Sequence, residues 1–460
     1  MPPERLFAYD SLVSMGEMPM IRTRTITLVL CLATAAAMSA ATAQNIAMFR
    51  GDAAHRGVYA GQPIASQPKL KWTFHTRGRV YSSPAVAGGT VFIGSTDQNL
   101  YAIDAATGAQ KWKFRTDSRV TSSPAVANGF VYFGSFDGNF YAVDAGTGAV
   151  KWKFATAGEH RFTANHIHGM YPATETMPDP FDFFLSSPAV ADGTVYFGSG
   201  DGNVYALDAA SGALKWKFAT GDVVHASPAV ADGMVFVGSW DSYFYALDAA
   251  SGALKWKFKT GEDHDIHNQQ GIQSSAAVAD GIVVFGCRDS NLYALDEKTG
   301  RQIWAQNNKG SWVIASPAIR DRKVYVATSD SGKFFAIDAR SGAVTFSVDF
   351  KRWPTFSSPA LIGDYAYVGS WQGKLFAIDL KNGRTAWEFQ TDASRKLLGP
   401  HSNPDGSVNY YAVQAGTFYD DMVVSVSNLM DGGAILSSPV YANGLLIFGS
   451  ADGNVYALGT

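Results

Sequence analysis

Cysteine is almost missing from this chain of 460 residues, which holds only Cys31 and Cys287. Cys31 falls in a stretch that reads as removable, so the mature chain keeps Cys287 alone and no intrachain disulfide can form. No Cys-x-x-Cys-His occurs, which excludes a haem attached through that motif. An excess of either charge is also missing: 37 Lys and Arg face 40 Asp and Glu, for a net −3. Without a basic run there is no footprint for a nucleic-acid partner. Long apolar runs are lacking too. Residues 26–38 form an apolar run of 13 residues, against the roughly 20 that a membrane-spanning helix requires. That run follows Arg22 and Arg24 and precedes the small residues Ala41-Thr42-Ala43, as in a secretory signal cleaved before Gln44. Leu30 is bulky where a lipid-attachment signal at Cys31 carries a small residue. Residues 1–19 fit no part of a signal, so Met15, Met18 or Met20 is the expected start, within a leader of 1–43. The mature protein is expected in the periplasm or secreted, with no membrane span.

Glycine and aromatics are plentiful: 46 Gly, 20 Tyr and 29 Phe, as tight turns between aromatic-rich strands require. They recur with a period. Ser-Pro appears at Ser83-Pro84, Ser123-Pro124, Ser187-Pro188, Ser227-Pro228, Ser316-Pro317, Ser358-Pro359 and Ser438-Pro439, with Ser275-Ala276 as a degenerate copy. After each comes an apolar strand ending in Gly-Ser, an Asp-Gly type turn, a Tyr-Ala-Leu-Asp strand, a Thr-Gly or Ser-Gly turn and a Lys-Trp-Lys-Phe strand. Four short strands in about 40 residues is the size of one propeller blade. Asp137-Gly138, Asp201-Gly202 and Asp452-Gly453 supply the positive φ of a two-residue hairpin. Trp112, Trp152, Trp216, Trp256, Trp304 and Trp387 recur on the last strand, with Phe346 once in their place. At one per repeat they are read as packing between blades rather than as a ligand groove.

The eighth copy ends "VYALGT" before any Lys-Trp strand, and the missing strand stands at 69–76 as "KLKWTFHT". The fold class is therefore all-β: an eight-bladed propeller of four-stranded antiparallel blades over 69–460, closed by an N-terminal strand, with 44–68 as lead-in. A monomer is expected. Repeats of the form "YALDAxTGxxxWxF" resemble the pyrroloquinoline-quinone (PQQ) type propeller repeat, and "MFRGDAAHRGVY" resembles the lead-in of exported propellers of that kind. The resemblance implies this fold. It spans quinoprotein alcohol dehydrogenases, an outer-membrane assembly scaffold and sensor ectodomains, so it does not by itself assign an activity.

Three insertions break the 40-residue spacing, at 157–185, 261–273 and 391–436. Each joins a fourth strand to the next first strand, so all three gather over one mouth of the channel, where binding loops are expected. His160, His166, His168, His264, His267 and His401 lie in them, and His225 opens the fourth blade on the same side. One turn position varies around the ring as Thr96, Phe136, Gly200, Trp240, Arg288, Ser329, Trp371 and Ala451, a free position in a constant frame. Exposed Trp240 and Trp371, with Arg288, His225, Trp312 and Trp353, are the expected ligand contacts. His160, His166 and His168, with His264 and His267, are either a site for a divalent zinc, copper or iron ion or merely histidines on polar loops. Cys287 replaces a repeat serine and reads as a small core residue, and no Ser-His-Asp set can be assembled.

Two functions follow from the resemblance. The first is an exported scaffold that binds an envelope protein, peptide or small molecule on the looped face. The second is a dehydrogenase that holds PQQ and a metal ion, oxidises an alcohol or sugar, and passes electrons to a separate acceptor. The adjacent-cysteine pair of many quinoprotein alcohol dehydrogenases is absent, and none of that family's carboxylates is carried over to positions here.

Overall fold

The structure, a computed structural model, describes residues 48–413 and 416–460. The expected leader, its alternative starts and its cleavage site lie outside them. Each repeat folds into a sheet because apolar residues alternate along short strands and Gly or Asp turns reverse the chain between them. In the first blade the strands are Ala85–Ala87, Thr90–Gly94, Asn99–Asp104 and Gln110–Arg115, all antiparallel. Eight such blades follow one another among the described residues. The second and third strands are buried, whereas the fourth alternates exposed Lys with half-buried Trp and Phe. Lysines along that outer edge discourage pairing with another chain.

The repeated letters acquire physical causes. The Ser of each Ser-Pro lies where neighbouring first strands meet, and its hydroxyl accepts the backbone N–H of the preceding blade's serine. Ser83 N–H donates to Ser123 Oγ at 2.9 Å, and the series runs on until Ser438 N–H donates to Ser83 Oγ at 2.9 Å. Eight bonds close a ring, including the one to Ser275, which keeps the serine although it has lost the proline. At about 0.5–1.5 kcal/mol apiece such bonds fix the spacing of the blades. Trp72 packs on Gly108 of the next blade, where an added Cβ would lie 2.8 Å from the indole, and its Nε1 donates to Ala105 O at 3.0 Å. Trp112, Trp152, Trp216 and Trp304 do the same one blade further on. The interblade reading of these tryptophans holds. The Asp-Gly turns are longer than the two-residue hairpin expected. Residues 135–138 join Gly134 to Asn139, because Asp137 also accepts from Tyr141 Oη (2.8 Å) and from the N–H of Asp117 in the previous blade (3.1 Å).

The ring closes as expected. Lys69–His75 pairs antiparallel with Asn454–Gly459, from Lys69 opposite Gly459 to His75 opposite Asn454. The lead-in adds a feature of its own. Val58–Tyr59 pairs parallel with Ala360–Ile362, and Ala53, Ala54, Arg56 and Gly57 accept backbone bonds from the first strands of blades 4 to 7. Arg50 is buried and donates to Pro359 O (2.6 Å) and Pro317 O (3.1 Å), while Phe49 reaches the serine ring. The channel is thereby reduced to a chamber of about 40 Å3. No helix among the described residues is long and apolar enough to cross a membrane.

Candidate functional site

The three insertions do gather on one face, and they are bonded to each other. His168 N–H donates to Ile266 O, Tyr171 N–H to Thr417 O at 3.0 Å, and Tyr419 Oη to Pro178 O at 2.7 Å. The third insertion contributes a helix, Tyr419–Asp431, whose Val426, Leu429 and Met430 are buried. Arg79 pins its end through Ser427 Oγ (2.7 Å) and Asp431 Oδ1 (2.6 Å). The result is a cap, and it changes the status of the residues beneath it.

The tryptophans read as exposed are covered. Trp240 is 0% and Trp371 2% exposed, while Trp312 and Trp353 are also buried. The reason is specific for Trp240. Phe162 of the first insertion stacks on it at 4.6 Å with the rings 7° apart, and Arg288 lies over its ring at 4.7 Å. Trp353 is held by Nε1 donating to Gly406 O (3.0 Å) in the third insertion. Gly200 is not a free position either. The first insertion passes so close that a Cβ there would meet His160 N and O at 2.6 and 2.5 Å. Its N–H donates to Glu159 Oε1 at 2.7 Å.

Arg288 is fully buried. Its Nη1 donates to Asp179 Oδ2 at 2.6 Å, and its guanidinium sits between Trp240 and Trp312, 3.9 Å from the latter ring. His168 donates through Nε2 to the same Asp179 oxygen at 2.9 Å, and its Nδ1 lies 3.3 Å from Asn268 Oδ1. Burial would raise the Asp179 pKa, but Arg288 and His168 more than reverse this and hold it far below the ordinary range. His225 is likewise buried and lines the small central chamber, with Nδ1 donating to Asp182 at 2.8 Å and Nε2 lying 3.4 Å from Glu159 Oε1. Burial opposes its charge, yet Asp182 and Glu159 outweigh that and raise its pKa to about 10.

The histidines expected to form a metal site go separate ways. His160 and His264 are exposed, and His264 pairs with Glu262 (2.9 Å). His267 bonds Gln270 (2.7 Å), His166 faces the Tyr171 ring, and His168 is held by Asp179. No group of three His, Cys, Asp or Glu placed for a metal occurs among the described residues. The spacing in sequence brought these histidines to one face without bringing them to one point.

Between the cap and blades 5 to 7 lies a cavity of about 290 Å3. Of the expected ligand contacts, Trp312 and Trp371 line it, and Trp240, Trp353, Arg288 and His225 do not; His168, expected as a metal ligand, lines it too. Ser329, a member of the variable turn ring, lines it as well. Phe181, Phe356, Tyr410, Met170, Met422, Val426 and Leu429, with the polar Asn268 and Asp330, are not among the expected contacts. Phe181 lies 5.3 Å from Trp312 and 6.2 Å from Trp371, and Phe356 4.8 Å from Trp371. Asp330 has its pKa raised, first by burial. Such an aromatic enclosure with few polar groups is the ordinary make-up of a small-molecule pocket.

Comparison with known proteins agrees with the ring. No curated protein matches the chain. Among solved structures it resembles BamB from Moraxella catarrhalis, at 17% identity and a TM-score of 0.60 over 86% of this chain and 98% of that one. It also resembles a europium-containing methanol dehydrogenase (16%, 0.65, 91% and 98%). A third is the quinohemoprotein alcohol dehydrogenase from Comamonas testosteroni (15%, 0.66, 92% and 82%). At these identities the likeness shows the fold alone. The family model described as outer membrane protein assembly factor BamB matches residues 64–166, 161–308 and 265–459. With nearly the whole ring so matched, the chain belongs to this family of PQQ-type propellers.

Proposed function

We propose that the protein is an exported binding module of the cell envelope, periplasmic or secreted, whose ligand sits in the capped cavity on the looped face. The observation that carries this reading is the cavity itself: about 290 Å3, enclosed by all three insertions and by the variable turn positions Ser329 and Trp371, on a frame that is otherwise repeated. The exposed Tyr171, Phe418 and Val424 on the same insertions add apolar surface that suits a partner protein. The ligand is then a small molecule, or a side chain presented by an envelope protein or peptide.

The dehydrogenase reading meets a poor donor set. PQQ is a tricarboxylate and needs cations around it. Arg288, the buried cation nearest the cavity wall, is already closed into a pair with Asp179, and the wall itself offers the carboxyl of Asp330. A divalent ion finds no grouped ligands among the described residues. The residues present do not fit PQQ and its metal, so no reaction step is derived through them.

The cavity is tested by filling it. Met422→Trp places an indole in the space while leaving the blades untouched. Compounds that raise the Tm of the wild type in a thermal-shift screen are expected to lose that effect on the variant. Hits that stabilise both proteins equally would move the site elsewhere. Titration with PQQ and calcium, followed by visible spectrum and dye reduction, is expected to leave the protein unchanged.

A further inference from the structure

We infer that the cavity selects a small organic cation, of the substituted-ammonium class, through an aromatic box and the Asp330 carboxyl; this rests on the reading of the cavity as the binding site. Five rings line the space: Phe181, Trp312, Phe356, Trp371 and Tyr410. Ring faces carry negative potential, which attracts a cation more strongly when water is excluded. Aromatic walls alone would equally suit a neutral ligand. The charge on the wall decides between them.

Asp330 is the one acidic side chain among the residues lining the cavity, and no ion pair reaches it among the described residues. Of the two cations that act on it, Arg288 is closed into a pair, and Arg352, which lines a neighbouring cleft together with Asp330, makes no ion pair with it. Arg288 is paired with Asp179 at 2.6 Å, and the Arg352 guanidinium lies over the Tyr410 ring at 4.8 Å. Ser329 also bonds its carboxyl, yet burial raises the pKa of Asp330 in spite of all three, and no side-chain cation lies within ion-pair distance of it among the described residues. A ligand cation supplies the pairing charge, and excludes the water that screens the pair. An anionic ligand would meet the same carboxylate unpaired, which disfavours it. At about 290 Å3 the space holds a head group the size of choline with room for an apolar substituent.

The experiment compares choline with its uncharged isostere 3,3-dimethylbutan-1-ol, by calorimetry and tryptophan fluorescence on the whole protein. Choline is expected to bind at least about tenfold more tightly. Asp330→Asn should weaken choline about tenfold, leave the isostere within about twofold, and leave the fold intact by circular dichroism. Should that variant fold poorly, Tyr410→Leu serves in its place, with choline again losing more than the isostere. Choline affinity should also fall as acid protonates Asp330, whereas that of the isostere should not, and Asp330→Asn should remove that fall, which separates Asp330 from His168 on the same wall. Equal binding of the two compounds overturns the cation assignment and leaves the cavity as a neutral apolar site. Binding of neither, or binding of both that survives Met422→Trp, overturns the assignment and the cavity reading together.

Discussion

At the scale of single residues, two buried histidines make opposite demands on pH. His55 lies under the channel, and burial lowers its pKa to about 4. Its folded value is below the unfolded value near 6.5, so its contribution is present above about pH 6.5 and is lost as pH falls toward 4. His225 is raised to about 10 by Asp182 and Glu159 against the effect of burial. Its contribution is complete below about pH 6.5 and is lost as pH rises toward 10. Stability should therefore peak near neutrality and fall on both sides. Denaturation from pH 4 to 10 should show His55→Phe flattening the acid limb and His225→Gln the alkaline one. If either variant left the matching limb unchanged, the assigned protonation would be wrong. Residue identities in the blades were legible because eight copies stand beside one another. Their degree of cover was not. Trp240 differs from its repeat counterparts, but variation among copies carries no information on exposure; only the fold of residues 157–185 places Phe162 on it.

At the scale of elements, the blades could be read and the cap could not. Strand order, turn letters and closure all follow from a period of about 40 residues, and one strand displaced to the other end of the chain completes the count. Deleting residues 69–76 should leave Asn454–Gly459 as an unpaired edge. The expected outcome is a lower Tm and soluble aggregates by light scattering; unchanged Tm and a monodisperse product would contradict the closure. The insertions have no second copy to be compared with. Their signals were present but local: the dense apolar run Phe181 to Leu185 inside a polar loop, and Met422, Val426 and Leu429 at helical spacing in a chain otherwise built of strands. Those two segments supply Phe181, Met422, Val426 and Leu429 to the cavity's apolar wall. His-x-His, the more conspicuous pattern, supplied His168 alone, and in the role of a partner to Asp179.

At the scale of the whole molecule, the ring is sealed twice. The lead-in with Phe49 and Arg50 fills the channel from one side, and the cap covers the other. Among the described residues, the capped cavity is set off toward blades 5 to 7, beside a more open cleft of about 620 Å3 that shares Asp330 and Tyr410 with it. The family frame is shared with scaffolds and with dehydrogenases, so function turns on how this one space is lined. Soaking crystals with a mixed library of small cations, anions and neutral fragments tests that most directly. Ordered fragments should concentrate in the cavity, cations above the others, in contact with Asp330 and the rings of Trp312 and Tyr410. A cavity that stays empty while fragments collect on the lead-in side would contradict the account.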